Sequence, residues 1–283
     1  MLKGALLISG LLAAAAWSQE RQNPSPMVEH TRAHPRLARE SPDGRREKLD
    51  LGTLFIPKAL DVKGKVPLFV HFHGAGWVAE VAAAKDGRTA VIAMSLGVGS
   101  GAYSKAFADP LRFGKLLKEA EAKAGVQFEP ITLTAWSAGY GAVRELLKQP
   151  QYFERVQGVL LLDGLHTGYV DGKPGPLESR LQTDTLDIFV QFAREAVAEK
   201  KRMIVTHTEV FPGTFASATE TADYLLKQLG LRRTAILIWG PMQTQILSEI
   251  KKGKFLMLGF AGNSAPDHVD QLHALPELLR LVQ

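Results

Sequence analysis

The most informative part of the sequence for the fold class is the stretch Ile131-Thr132-Leu133-Thr134-Ala135-Trp136-Ser137-Ala138-Gly139-Tyr140-Gly141-Ala142. Its first half is apolar and rich in β-branched residues, which predicts a strand. The residues after the serine predict a helix that begins almost at once. Such a sharp turn exposes the Ser137 hydroxyl at the edge of a sheet and requires small residues two positions before and after it. Ala135 and Gly139 meet this requirement.

The chain from residue 49 onward repeats this alternation of strands and helices. Several apolar runs are continuous, which is typical of strands that are covered on both faces. The pattern predicts an α/β fold, a mostly parallel central sheet with helices on both faces. The candidate strands are 52–56, 67–72, 90–95, 131–135, 158–162, 203–206, 235–239 and 255–260. The candidate helices are 109–124, 139–149, 184–200, 217–229 and 268–281.

The N-terminal residues differ from the rest of the chain. Residues 1–18 combine Lys3, an apolar stretch and small residues at Ala16 and Ser18, a pattern typical of a cleavable signal peptide. The apolar stretch is too short for a comfortable membrane span, so we expect a secreted or periplasmic protein without stable membrane insertion. Residues 19–48 are rich in proline and poor in apolar residues, which predicts a polar, flexible leader. We expect residues 49–283 to form one α/β domain.

The composition and the motifs exclude several kinds of catalysis and binding. The net charge is +5 and there is no cysteine, so disulfides and thiol catalysis are excluded. The arginines of the leader lie among prolines and acidic residues, which favours a solvated segment over a nucleic-acid-binding arm. No Gly-x-Gly-x-x-Gly motif follows a first strand, so no cofactor is expected. His71 and His73 alternate on one strand without a third ligand nearby in sequence, so no metal is expected either.

A glycine-rich turn, His73-Gly74-Ala75-Gly76, follows the strand at 67–72. This turn and the pentapeptide 135–139 together resemble two motifs of the α/β-hydrolase superfamily, the His-Gly-Gly-Gly loop and the Gly-x-Ser-x-Gly elbow. In each motif, alanine stands in place of one glycine. The resemblance implies that Ser137 is the nucleophile. It also implies an oxyanion hole formed by the amides of Gly74, Ala75 and Ala138.

In this superfamily the triad follows the order serine, acid, histidine. His268 lies in the loop after the strand at 255–260, at the same sheet edge as Ser137, and is the candidate base. Two carboxylates remain candidates for the acid. Asp163 ends a very apolar strand, where an unpaired charge would be costly, and it is preferred on this ground. Glu209 follows the next strand and is the alternative.

The resemblance therefore implies a serine hydrolase that cleaves small-molecule or polymer carboxylic esters through an acyl-enzyme, and the signal-peptide pattern of residues 1–18 predicts that it is exported. Two alternatives stay open at the level of sequence. An amidase or peptidase would use the same triad, and a catalytically silent binding protein would keep the same fold.

Overall fold

The computed structural model describes residues 33–282. The predicted signal peptide, 1–18, and the first part of the predicted leader, 19–32, lie outside the described residues. Within residues 33–282, no helix combines the length and apolar character needed to cross a bilayer.

Ten strands form one mixed sheet in the order β1-β2-β4-β3-β5-β6-β7-β10-β9-β8. Strands β3 to β7 and β10 run parallel to one another. At one edge of the sheet, β2 pairs antiparallel with β4 and β1 with β2. At the other edge, β9 pairs antiparallel with β10 and β8 with β9. The predicted fold class is confirmed. The strands are β1 (Gly44–Lys48), β2 (Thr53–Pro57), β3 (Lys65–Phe72), β4 (Ala90–Met94), β5 (Gln127–Trp136), β6 (Val156–Leu162), β7 (Arg202–His207), β8 (Thr234–Trp239), β9 (Gln245–Lys252) and β10 (Phe255–Phe260).

Nine α-helices accompany the sheet within the described residues. They are α1 (Gly76–Asp86), α2 (Ser100–Phe107), α3 (Arg112–Ala124), α4 (Tyr140–Leu147), α5 (Pro150–Arg155), α6 (Asp187–Val197), α7 (Ala218–Leu229), α8 (Ala265–His273) and α9 (Leu275–Val282). Because successive strand residues point to opposite faces, the core is divided into two layers. Phe69 packs in the layer with α1 and α9, whereas Val70 packs in the layer with α2, α3, α4, α6 and α7.

The N-terminal side of the domain differs from the sequence expectation. Strand β1 pairs antiparallel with β2, so the sheet starts at Gly44, inside the expected flexible leader. Residues 34–37 also contact the domain, through hydrogen bonds to residues of α8. The apolar pattern of the leader is too sparse to indicate these contacts, which are made by polar side chains and backbone amides.

Helices α1 and α2 are not among the predicted helices, and further differences concern the sheet edge and the final helix. Strand β8 forms as predicted but pairs with β9, which the sequence analysis does not predict. Leu237 and Trp239 of β8 are about 70% exposed, at 68% and 71%, because β8 is the outermost strand. The predicted helix over 268–281 is divided at Ala274 into α8 and α9.

Candidate active site

The nucleophile candidate lies on a tight turn between β5 and α4. A short 3₁₀ turn, Ser137–Gly139, joins the two elements, and Ser137 has a φ of 47°. Positive φ is uncommon for residues other than glycine, and it marks a strained position that the surrounding structure must hold. A Cβ atom on Gly139 would lie 2.1 Å from the carbonyl oxygen of Phe72, and Ala135 is completely buried. The backbone therefore requires the small residues that the sequence contains at 135 and 139.

Asp163 follows the last residue of β6 and is 2% exposed. Thr208, just beyond β7, binds both of its oxygens: the amide donates to Oδ1 at 2.8 Å and the hydroxyl to Oδ2 at 2.7 Å. Burial by itself would raise the pKa of the Asp163 carboxyl. Hydrogen bonds from His268 and Thr208 outweigh burial, so the pKa lies below its ordinary value and the group is a carboxylate at neutral pH.

His268 lies in the first turn of α8, with its Nδ1 2.6 Å from Oδ2 of Asp163. Since Asp163 is ionised, Nδ1–H is the donor, and Nε2 keeps a lone pair that can accept a proton. A capping box formed by Ser264 and Asp267 fixes the start of this helix. Of the two candidate acids, the structure brings Asp163 to His268. Glu209 is exposed, and its backbone amide donates to the carbonyl of Gly262 at 2.8 Å.

Trp136 lies between two imidazole rings beside the turn. Its ring is 4.8 Å from that of His268, and its Nε1 donates to the His268 carbonyl at 2.9 Å. On the other side, the ring of His73 stacks on Trp136 at 5.1 Å and an interplanar angle of 13°. Burial, together with the nearby His268, lowers the pKa of His73. Trp136 thus fixes the position of His268 through both its ring and its N–H.

The candidate oxyanion residues lie on both sides of this tryptophan. Gly74 has a φ of 95°, and a Cβ there would contact Leu272 at 2.8 Å and Trp136 at 3.2 Å. Ala75 is the N-cap residue of α1 and makes no side-chain cap, so the positive end of the helix dipole lies next to this loop. Ala138 follows Ser137 and lines a cavity with it.

Two cavities meet at Ser137. The first, of about 220 Å³, is lined by Ser137, Asp163 and His268, with apolar walls from Val210, Pro212, Phe215, Ala218 and Ala265. The second, of about 370 Å³, is lined by Ser137 and by Val98, Gly99, Ser100, Ala138, Tyr140, Thr167, Gly168 and Phe215. His166 lines both cavities. The structure therefore brings the three predicted triad residues to one cavity and gives the nucleophile a second space beside it.

Two further residues shape this site: Thr208, which the sequence does not indicate, and His166, whose place after a strand is compatible with a position in the pocket lining. Thr208 is completely buried and holds Asp163, but a threonine after a strand carries no recognisable sequence signal. Nδ1 of His166 donates to the carbonyl of Ala216 at 3.0 Å, and burial lowers the pKa of this histidine. Since a backbone carbonyl can only accept, Nδ1 of His166 carries the proton.

Other histidines have structural partners. His71 is buried and its Nδ1 lies 2.9 Å from the hydroxyl of Thr134, while Nδ1 of His73 lies 2.7 Å from that of Tyr103. Burial lowers the pKa of His71 to about 3. Outside the cavities, His34 lies close to Asp267 and Asp270, a combination that could hold a cation. Asp270 already forms an ion pair with Arg36, so its charge is compensated by the protein itself.

A further cavity of about 370 Å³ lies at the amino ends of the parallel strands, on the edge opposite Ser137. Its basic side chains are Arg88, Lys200, Lys201, Arg202 and Lys254. Most of them bind internal groups, for example Lys201, whose Nζ donates to the carbonyls of Glu154 and Val156. Within the described residues, its lining contains no serine, cysteine or histidine, and it is not the candidate active site.

The strand order, the turn at Ser137 and the histidine after the last parallel strand define an α/β-hydrolase fold. No protein-family model and no curated protein matches the sequence. Solved structures do resemble it. An esterase from Pyrobaculum calidifontis is 14% identical with a TM-score of 0.48, over 85% of this chain and 84% of that one. Esterase 2 from Thermogutta terrifontis, phosphonylated by cyclosarin, is 15% identical with a TM-score of 0.48, over 85% and 94%.

An acetyl xylan esterase from Aspergillus awamori is also similar, at 12% identity and a TM-score of 0.44, over 79% of this chain and 93% of that one. The activities in these names belong to those proteins.

Proposed function

We propose that this protein is a serine hydrolase that cleaves carboxylic esters through Ser137, His268 and Asp163. The observation that carries the proposal is the 2.6 Å contact between Asp163 Oδ2 and His268 Nδ1, in a cavity that Ser137 also lines. A buried carboxylate that orients an imidazole, in a cavity with a half-buried serine on a strained turn, is the arrangement that nucleophilic acyl transfer requires.

In the first step, Nε2 of His268 takes the proton of Ser137 as Oγ attacks the ester carbonyl carbon. The carbonyl oxygen becomes an oxyanion, and Asp163 stabilises the imidazolium that forms. The C–O bond to the alcohol then breaks, and His268 returns its proton to the leaving oxygen. This leaves an acyl-enzyme. In the second half of the reaction, His268 takes a proton from a water molecule that attacks the acyl carbon, and it returns the proton to Oγ of Ser137 as the acid is released.

The oxyanion would be bound by the amides of Gly74, Ala75 and Ala138. The positive φ of Gly74 supports this assignment, since a side chain at that position would meet Trp136 and Leu272. The helix start at Gly76, whose N-cap Ala75 offers no side-chain acceptor, adds favourable partial charge at the same place. Such donors act without reorganisation when charge develops, and each contributes roughly 3–4 kcal/mol to transition-state stabilisation.

The two cavities support separate binding positions for the alcohol group and the acyl group of the ester. His268 must protonate the leaving oxygen, so the alcohol belongs in the 220 Å³ cavity that His268 lines. The acyl group then occupies the 370 Å³ cavity, which Ala138 and Tyr140 line. Both volumes suit small ester groups, or one end of a polymer side chain, better than a long acyl chain.

We further propose that the protein acts outside the cytoplasm, as a secreted or periplasmic enzyme. The proposal rests on residues 1–18, whose single lysine, short apolar stretch and small residues at 16 and 18 have the pattern of a cleavable signal peptide.

The decisive measurement is hydrolysis of p-nitrophenyl acetate and p-nitrophenyl butyrate by the purified protein and by Ser137→Ala. We expect the substitution to lower kcat by roughly 10³-fold or more, because it removes the nucleophile. Ser41→Ala serves as the matched control, since Ser41 is exposed and precedes β1. Equal rates for wild type and Ser137→Ala would contradict the proposal.

Two further assays separate the alternatives. A fluorophosphonate probe should label Ser137 in the wild type and nothing in Ser137→Ala, because only an activated serine reacts readily. A wild type that resists the probe would indicate a binding protein of the same fold. Faster turnover of matched anilides than of esters would indicate an amidase.

A further inference from the structure

Residues 34–37, here called the N-terminal clasp, lie along α8, the helix that carries His268. Near the start of the helix, Arg36 Nη2 donates to the carbonyl of Pro266 at 3.1 Å. At its end, the backbone amide of Leu37 donates to Nδ1 of His273 at 3.1 Å. The clasp therefore binds both ends of α8 although more than 220 residues separate the two segments.

The centre of the contact is Asp270, which is 1% exposed. Its Oδ1 forms an ion pair with Arg36 Nη1, and its Oδ2 lies 2.7 Å from Nδ1 of His34. A buried carboxylate is costly unless cations and hydrogen bonds compensate it. The clasp supplies this compensation, so Asp270 favours the position of α8 in which the clasp is bound.

The contact between the clasp and Asp270 lies close to His268 on the same helix. Asp270 lies two residues after His268, and α8 has only nine residues, too few to be stable without tertiary contacts. On the side of the sheet, His268 is held by Asp163 and Trp136. The clasp holds the same helix through Asp270, independently of both.

Apolar packing joins the clasp to the same region. Leu37 packs against the core layer that contains Leu272 of α8, and Trp77 belongs to the same cluster. The side chain of Leu272 in turn would lie 2.8 Å from a Cβ atom on Gly74, so it packs against the candidate oxyanion loop. The clasp, α8 and the loop at Gly74 thus form one packed unit beside Ser137.

We propose that the N-terminal clasp is a positioning element of the active site: by binding Asp270 it fixes the orientation of α8 and keeps His268 aligned with Ser137. This inference rests on the proposed function, and it assigns Arg36 a role that no signal in the sequence indicates. Arg36 is a positioning residue, because it acts through Asp270 and does not contact the cavities.

The test uses Arg36→Gln in the otherwise unchanged chain, with kcat and KM measured for p-nitrophenyl acetate. Misplacement of a catalytic group by a fraction of an ångström lowers the rate without weakening binding, so we expect kcat to fall about tenfold with KM unchanged. Arg36→Lys keeps a cation next to Asp270 and should recover most of the kcat. Arg39→Gln is the matched control, since Arg39 is exposed in the same segment and forms no ion pair within the described residues.

A second readout does not depend on activity. Hydrogen exchange of the amides of 265–273 should be faster in Arg36→Gln than in the wild type and unchanged in Arg39→Gln, because local opening of α8 becomes easier. If exchange rises while kcat stays at the wild-type value, the clasp only stabilises the helix and the positioning role is wrong. An inactive wild type would instead contradict the proposed function, while the exchange measurement would still show whether the clasp holds α8.

Discussion

The acid of the proposed triad is the carboxylate that the fold brings to His268. Asp163 and Glu209 both follow parallel strands, and both could reach the same edge of the sheet on sequence grounds. Asp163 has a φ of 43° and receives two hydrogen bonds from Thr208, so its carboxylate is held in one orientation below His268. Glu209 points to solvent. A strained backbone and a fixed carboxylate are what a group that orients an imidazole needs.

This distinction gives a pair of variants. Asp163→Asn keeps the shape but can donate a hydrogen bond from its amide, which favours the wrong tautomer of His268, so kcat should fall by roughly 10³- to 10⁴-fold. Glu209→Gln should leave kcat close to the wild-type value. Both are measured with p-nitrophenyl acetate at neutral pH. The reverse order of effects would assign the acid to Glu209.

Ser137 and His268 could be predicted from sequence because each follows a strand and because small residues surround the serine. The acid could not be decided in this way, since burial and hydrogen bonds to Thr208 arise only when β6 and β7 lie side by side. Thr208 and Arg36 were not predicted at all. Their roles are contacts between segments distant in sequence, and neither residue belongs to a motif.

Among the elements of the fold, the turn between β5 and α4 has very little space for larger side chains. Gly139 has ordinary helical angles, so its small size is needed for space and not for backbone freedom. The nearest obstacle is the carbonyl of Phe72 at the end of β3, which is backbone and cannot rotate away. The close approach of β3 to this turn also carries the loop at Gly74 to its place beside Trp136.

Gly139→Ala should therefore lower the free energy of unfolding by about 3 kcal/mol, since one added methyl group forces β3 and α4 apart. Gly101→Ala is the control, because nothing lies within 4 Å of a Cβ at that helical position. Alanine there should stabilise by about 0.5–1 kcal/mol through its helix propensity. Urea unfolding followed by circular dichroism measures both, and a neutral Gly139→Ala would show that the turn is not tightly packed.

Elements with a clear sequence period were predicted well, and the others were missed for identifiable reasons. Helix α1 is rich in alanine and valine, and its buried residues do not leave a polar stripe, so no helical pattern is visible. Strand β9 carries polar residues on an edge hairpin, where one side faces solvent. Strand β1 is short and contains four charged residues among five, a composition that does not indicate a strand.

For the whole molecule, two buried histidines contribute to the dependence of stability on pH. Burial lowers the pKa of His71 to about 3, and burial with the nearby Arg233 lowers that of His207 to about 4. Both histidines are 3% exposed or less. In the unfolded chain their pKa values return to about 6.5, so the unfolded state binds more protons than the folded state at any pH between these values.

The stability that depends on keeping these two histidines neutral is therefore nearly complete above pH 6.5, and it is lost as the pH falls toward about 4 for His207 and about 3 for His71. Between pH 7 and pH 5, each should reduce the free energy of unfolding by about 2 kcal/mol. Urea titrations at the two pH values measure the change. His207→Gln should show a smaller loss over the same range, and an equal free energy of unfolding for the wild type at pH 7 and pH 5 would contradict the assignment.

The position of Trp136 between the rings of His73 and His268 has a spectroscopic consequence. An indole in contact with an imidazole emits differently once that ring becomes a cation, because the charge then lies over the π system. In the proposed mechanism His268 gains and loses a proton in each half of the cycle. If His268 is the base, the fluorescence of Trp136, one of four tryptophans in the sequence, should change with the protonation of His268 during turnover.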